Sequence, residues 1–426
     1  MPPEAHSSDR LTPNRSTPDL LTSDSVTLPI GEYHARLDHP AGPTLLALPM
    51  PLSSPPVPDW AQWQNVQDLP TKHGLNELHR QIVQDDQHKW DLTVPRDRLA
   101  LANGRLILPE EYAGEYPESL TLSPWATAQV CQRLGIPSPY FLRCSLPLRD
   151  AQFNHWAWSQ DQEPDEASSK PGSPRPWLLR GKGESVRAVL SDRYAPLDNA
   201  DLLGTLVPLL EGRFEVRGIA LTNESLHLRL VDPRLAREVL PNDRLLAGVH
   251  VANSEVGRRS VTVDALVWRL VCLNGLVSLV KGRSLLRQRH ISWDRPRFAD
   301  ALRTAVSEAA MAGAGLIDRL QAATREPVPD IEGVVRAIAR QASLTQAVQE
   351  KVLLALQATP PPQQERLYGL VQALTFTAQS LAPDDRHDLE VTAGRLLDEG
   401  VPAPLKADTA LPKVRRTTEG DGHAFG

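Results

Sequence analysis

The chain has 426 residues and a mass of 47.0 kDa, more than one ordinary core requires, so two or three packed units are expected. With 41% hydrophobic and 23% charged residues, 25 glycines and 38 prolines, it holds enough apolar material for a core and too much proline for uniform order. This excludes a collagen-like or wholly disordered chain. Forty-six Lys and Arg against 52 Asp and Glu leave a formal charge of -6, so any attraction to nucleic acid or anionic lipid must come from a local patch.

The first 60 residues hold 12 prolines and no sustained period, and are expected to form a disordered tail. A mixed helix/strand unit is expected over 61–159. In it DLTVPRDRLALANGRLIL reads as two short strands turned at Asn103 and Gly104. SPWATAQVCQRLG reads as a helix with Ser123 as N-cap, Pro124 in the first turn and Gly135 as the stop. The segment 160–176, rich in acidic, Ser, Gly and Pro residues, reads as a linker or long loop.

A central domain is expected over 177–325. WLLRGKGESVRAVL reads as a hairpin around Gly181 to Gly183, and DNADLLGTLVPLLEG as a helix capped by Asp198 or Asn199. FEVRGIAL and SLHLRLVD form a second hairpin through Thr222, Asn223 and Glu224, with Leu226, Leu228 and Leu230 on one face; RLLAGVHVANSEVG is a further strand. Ala265, Trp268 and Cys272 fall at helical spacing before Asn274 and Gly275, which predicts a helix there. LVSLVKGRSLLRQRHISW reads as two strands turned at Lys281 and Gly282, followed by a helix from about Arg297 to Thr324. From Ile331 to Glu399 every pattern is helical, giving a small C-terminal bundle over 326–400, and 401–426 is expected to be a disordered tail. The fold class is therefore α+β, with a central, mostly antiparallel sheet and packed helices.

The three cysteines, Cys131, Cys144 and Cys272, are odd in number and far apart, which argues against a disulfide framework or a thiolate zinc site and for the reducing cytoplasm. No signal peptide pattern opens the chain and no window approaches 18 uninterrupted apolar residues, so no membrane partner is expected. Gly181-Lys182-Gly183 satisfies neither the P-loop nor the dinucleotide fingerprint, and no nucleophile elbow or HExxH occurs. No metal-ligand spacing is found among the 12 histidines; no cofactor, metal ligand or catalytic residue is expected, and His250 and Cys272 read as packed core side chains. In SDRYAPLDNAD the acids read first as a helix cap and turn residues.

The informative feature is charge. Between Val256 and Phe298 stand nine Arg or Lys against two aspartates, Asp264 and Asp294, in a chain that is acidic overall. A compact positive surface on such a chain is the footprint of phosphate neutralisation. Strand geometry places Arg287, Arg289 and Trp293 on one face, the two arginines about 7 Å apart. Trp293 and His290 would offer stacking surfaces to bases. Arg258, Arg259, Lys281, Arg283, Arg287 and Arg289 are the expected phosphate contacts, with Trp293 stacking.

The blocks VRAVLSDRYAPLDNADLL, GVHVANSEVGRRSVTV and RLVCLNGLV, with LSPWATAQVCQRLGIPSPYFLRC upstream and LYGLVQALTFTAQSLAPDDRHDLEVTAGRLL downstream, resemble domain of unknown function 932, a family described as phage- or plasmid-like. The resemblance spans about Gly74 to Leu397 and brings no catalytic residues. It implies a setting in mobile-element or chromosome maintenance. A fold-level analogy to the Rad52-like single-strand annealing proteins rests on strands leading through a Gly-containing turn into a helix with Arg258 and Arg259 at its start; it implies assembly into a homo-oligomeric ring or filament. The leading expectation is a nonenzymatic protein that binds single-stranded DNA in recombination, repair or replication. The alternatives are a metal-dependent enzyme acting on nucleic acid through Asp192, Arg193, Tyr194, Asp198, Asn253 and Glu255, and a scaffold whose bundle from Ile331 binds a protein partner.

Overall fold

The computed structural model describes residues 71–159, 175–210, 212–270, 275–280 and 282–405. The proline-rich tail, nearly all of the 160–176 segment, most of the C-terminal tail, Cys272 and Lys281 lie outside the described residues. The fold is α+β, as expected, but built on two six-stranded sheets.

A first helix, α1 (Thr71–Asp86), leads into β1 (Lys89–Pro95), β2 (Ala100–Ala102), β3 (Arg105–Ile107) and β4 (Ser119–Leu122). β2 and β3 turn at Asn103 and Gly104, both at positive φ, and Asp150 accepts from the two turn N–H groups. Then come α2 (Pro124–Arg133), α3 (Ser138–Arg143) and α4 (Leu146–Trp158). Ser123 caps α2 by accepting from Ala126 N, with Pro124 in the first turn, as its sequence predicts. β5 (Pro176–Lys182) and β6 (Ser185–Ser191) form the expected hairpin. The sheet order is β1-β5-β6-β4-β3-β2, antiparallel except for the parallel β4–β6 pair, so strands from both sides of the 160–176 segment share one sheet. Leu120, Val130, Phe153, Leu179 and Val186 are among the side chains of its core.

Helix α5 (Asn199–Leu210) precedes the second sheet: β7 (Glu215–Leu221), β8 (Leu226–Leu240), β9 (Asp243–Asn253), β10 (Val261–Arg269), β11 (Gly275–Ser278) and β12 (Leu286–Gln288). Its order is β11-β10-β9-β8-β7, all antiparallel, and β12 also pairs with β10. On one face Leu226, Leu228, Leu230, Val249, Val251 and Val263 pack with Phe298, Leu302 and Ala309 of the long helix α6 (Arg295–Ala323). Each such buried aliphatic contributes about 1.5–3 kcal/mol. The C-terminal helices α7 (Ile331–Gln341), α8 (Gln346–Gln357), α9 (Pro361–Gln364) and α10 (Leu367–Ala378) gather with the second half of α6 in a shared core that includes Leu316, Ile338, Leu356, Leu370 and Leu374. The last helix, α11 (Pro383–Glu399), packs on the sheet through β11.

Two expectations fail locally. The helix predicted over Ala265 to Cys272 is strand β10 as far as Arg269; its residues are buried on both faces, so the period-2 alternation that marks a half-exposed strand is missing. The strands β11 and β12 do not pair with each other. They lie one after the other along β10, against residues 265–268 and 261–263 respectively.

Candidate functional site

The cationic window divides into a carboxylate-paired group, of which Arg258 and Arg295 are themselves exposed, and an outward group. Arg258 and Arg259 sit in the turn between β9 and β10, where no helix begins. Arg258 donates to Asp384 at 2.6 Å, reaches Glu224 at 3.1 Å and lies 4.9 Å over the Trp125 ring; Arg259 also pairs with Asp384. Arg269 grips Asp243 with two hydrogen bonds of 2.6 and 2.9 Å, and Arg295 pairs with Asp201. Carboxylates distant in sequence pair with Arg258, Arg259 and Arg269; Arg258 stays exposed, and Arg259 and Arg269 are half-buried.

The outward group is Arg283, Arg287, Arg289 and Arg297, all exposed, on β12, its flanking loops and the start of α6. No described carboxylate pairs with Arg283, Arg287 or Arg297. Only Arg287 lies within the three-residue strand, opposite Thr262, so the predicted face shared by Arg287 and Arg289 within one strand does not form. Trp293 is half-buried: its Nε1 donates to Pro196 O at 2.8 Å, and its ring meets Phe298 edge-on at 5.7 Å with Arg295 5.8 Å from its centroid. His290 is buried and stacks on Tyr194 at 5.0 Å, and burial pushes its imidazole down to about 4. Neither ring is an open platform for a base.

The acids of the alternative enzyme reading enter an ion-pair hub. Arg180 on β5 donates to Asp91 at 2.8 Å, to both oxygens of Asp198 at 2.8 and 3.0 Å, and to Glu255 O at 2.8 Å. Asp198, expected as a helix cap, uses its carboxylate on this guanidinium. Glu255, 2% exposed, accepts from Lys89, Arg187 and the Asn199 N–H at 2.7–3.0 Å. Burial alone would raise its carboxyl, yet these donors hold it down to about 2. Asn253 donates to Leu197 O and Asn199 Oδ1, and Tyr194 OH to Ser254 O. Asp192 and Arg193 stay exposed. The hub joins β1, β5, β6, α5 and the β9–β10 turn; its carboxylates are committed to cations.

A second polar layer lies on the face of the second sheet opposite α6. Alternation that turns Leu226, Leu228 and Leu230 toward α6 turns His227 and Arg229 the other way, and register sets His250 opposite both Arg229 and Asp264. Arg229 pairs with Glu390 of α11 at 3.0 Å, and Arg386 with the other Glu390 oxygen at 2.7 Å. His227 Nε2 meets Asp384 at 3.1 Å and its Nδ1 meets His250 Nε2 at 3.2 Å. Burial pushes His227 down to about 4, against the pull of Asp384, and pushes His250 and His387 well below the usual range. Asp384 lies below the ordinary carboxylate range: burial would raise it, and His227, Arg259 and Arg258 overcome that. His250 is buried as expected, but in this polar layer. The three histidines are separated by 23 and 137 positions, so ligand spacing could not reveal them. Polar residues at alternate positions of the otherwise apolar SLHLRL are the legible signal.

No helix among the described residues is long and apolar enough to cross a membrane. No curated protein and no solved structure matches the chain. The annealing analogy thus gains no support, and the turn carrying Arg258 and Arg259 lacks the helix on which it drew. Family comparison matches residues 186–377, a shorter span than the sequence resemblance suggested, leaving the α2 block and α11 outside. Over those residues the chain matches the family model called domain of unknown function 932.

Proposed function

We propose that the chain binds single-stranded nucleic acid along the edge that runs from Arg283 through β12 to Arg297. The observation that carries this reading is the uncompensated charge of that edge. Residues 282–297 hold five arginines and one aspartate; Arg295 pairs with Asp201, and Asp294 is engaged as the cap of α6, accepting from Arg297 N. Arg283, Arg287 and Arg297 are exposed and without a described carboxylate partner, while the rest of the molecule is acidic. Local attraction and counterion release therefore concentrate at this edge.

A single strand suits it better than a duplex. β12 pairs with β10 alone among the described strands and presents its charges at an open edge. Duplex readout requires a helix or ribbon inserted into a groove, and α6 begins by burying Phe298 and Leu302. Arg258 and Arg259 are excluded from the contact set, because Asp384 already holds them. Recombination, repair or replication of mobile-element or chromosomal DNA is the corresponding setting, in a reducing cytoplasm consistent with unpaired Cys131 and Cys144.

Fluorescence anisotropy with labelled single-stranded DNA, the matching duplex and RNA tests the reading. Arg283→Glu with Arg287→Glu and Arg297→Glu is expected to weaken single-strand binding by at least about tenfold at unchanged melting temperature. Arg258→Gln is expected to leave it unchanged. Equal loss in both variants, or no wild-type binding at low salt, overturns it.

A further inference from the structure

The polar layer under α11 contains an arrangement that hydrogen bonding does not complete while Asp264 is ionised. His227, His250 and His387 each place a ring nitrogen so that all three lie within 4.8 Å of one another, and the three side chains are 0%, 0% and 8% exposed. We propose that these three histidines bind one divalent ion of the zinc class, which pins α11 to the second sheet.

Proton accounting leads to the ion. A neutral imidazole has one N–H. His227 Nε2 lies 3.1 Å from Asp384, a carboxylate kept ionised by Arg258 and Arg259, so the N–H belongs there and Nδ1 is a bare lone pair. That lone pair faces His250 Nε2 at 3.2 Å. On its far side His250 Nδ1 looks at Asp264 at 3.7 Å, and neither Asp264 oxygen makes a well-formed hydrogen bond. If the His250 proton sits on Nε2 to serve His227, its Nδ1 lone pair faces Asp264, which can bond it only as the protonated acid. If the proton sits on Nδ1 to serve Asp264, two lone pairs oppose each other at 3.2 Å. A cation between the inner nitrogens resolves the second arrangement completely.

The geometry fits. Nitrogens bound at about 2.0–2.1 Å in a tetrahedral set are spaced about 3.3–3.4 Å apart, close to the spacing of His227 and His250. Their outer nitrogens would then donate to Asp384 and Asp264, the carboxylate–histidine–metal pattern that orients ligands. His387 brings a third ring from α11, stacked 4.6 Å from His250, with a buried Nδ1 that has no hydrogen-bond partner. Neutral imidazoles without thiolates suit a borderline ion, not calcium or magnesium. Charge is accommodated too. The arginines of this shell already pair with Glu390, Asp384 and Glu224, whereas Asp264 has no described arginine or lysine within ion-pair distance.

The test uses the full chain, stripped by chelator and titrated with Co²⁺, then Zn²⁺. One Co²⁺ per chain is expected, with the visible absorption of a tetrahedral nitrogen-ligated ion, bleached by one equivalent of Zn²⁺. His387→Gln, at the most exposed of the three positions, is expected to weaken Co²⁺ binding by at least about 100-fold, and Asp264→Asn by about 10–100-fold. Where a variant fails to fold, the wild-type spectrum decides. Absence of stoichiometric uptake, an octahedral spectrum from exposed histidines such as His88 or His155, or full affinity retained in folded His387→Gln overturns the proposal.

Discussion

Replacing Glu255 by glutamine removes one negative charge from the centre of the hub while keeping its shape. The carboxylate is 2% exposed and receives Lys89 at 2.7 and 3.0 Å, Arg187 at 2.8 Å and the Asn199 N–H at 2.9 Å. These donors hold it at about 2 against an ordinary value of 4.5, and that difference is worth about 3 kcal/mol. Breaking a buried ion pair from one side costs about 3–5 kcal/mol, because the partner is left uncompensated, so two independent routes agree on the scale. The sign follows from proton linkage. The folded value lies below the unfolded one, so the contribution is present above about pH 4.5 and is lost as pH falls toward 2. Urea denaturation of the wild type and Glu255→Gln should therefore differ by about 3 kcal/mol at pH 7, and the gap should narrow steadily below pH 4.5. A gap under about 1 kcal/mol, or one that does not change with pH, would refute the reasoning.

Other expectations probe different parts of the fold. A Cβ at Gly313 would lie 2.7 Å from Leu266 O and 3.2 Å from Ala247 Cβ, whereas one at Gly315 meets nothing within 4 Å. In thermal melts Gly313→Ala should cost about 1–3 kcal/mol through the α6–sheet contact, and Gly315→Ala, on the exposed side of the same helix, should gain about 0.5–1 kcal/mol; two effects of the same sign would show the helix to be rotated. Burial holds His290 at about 4 against 6.5, so its contribution is intact above pH 6.5 and lost as pH falls toward 4. His290→Phe keeps the stack on Tyr194 and should reduce the loss of stability between pH 7 and 4.5 by about 2 kcal/mol in urea titrations. An unchanged acid loss would remove His290 from the account.

Where structure was legible in sequence, a local signal decided it. Ser123-Pro124 opens α2, Asn103-Gly104 turns β2 into β3, and alternating Leu226, Leu228 and Leu230 mark β8, all by contacts within a few residues. Strand β10 does not read as a strand in the sequence because α6 covers one of its faces and Trp268, Leu266 and Val391 pack on the other, so apolar residues occupy both parities. The site was legible only in part. Counting charges from Val256 to Phe298 located a basic segment, but Asp384, which holds Arg258 and Arg259, stands more than 120 residues away. Asp243 holds Arg269 through a strand pairing that the predicted helix conceals. The three histidines come from two strands and the last helix, a meeting that only the fold can arrange.

The most direct test of nucleic-acid binding is the salt dependence of affinity for a single-stranded oligonucleotide, measured for the wild type and for the chain lacking the positive charges of Arg283, Arg287 and Arg297. Each neutralised phosphate contributes about 0.7 to the log–log slope, so removing three contacts should flatten it by about 2. A slope unchanged by the substitutions, or a wild-type affinity that does not respond to salt, would contradict the assignment of that edge.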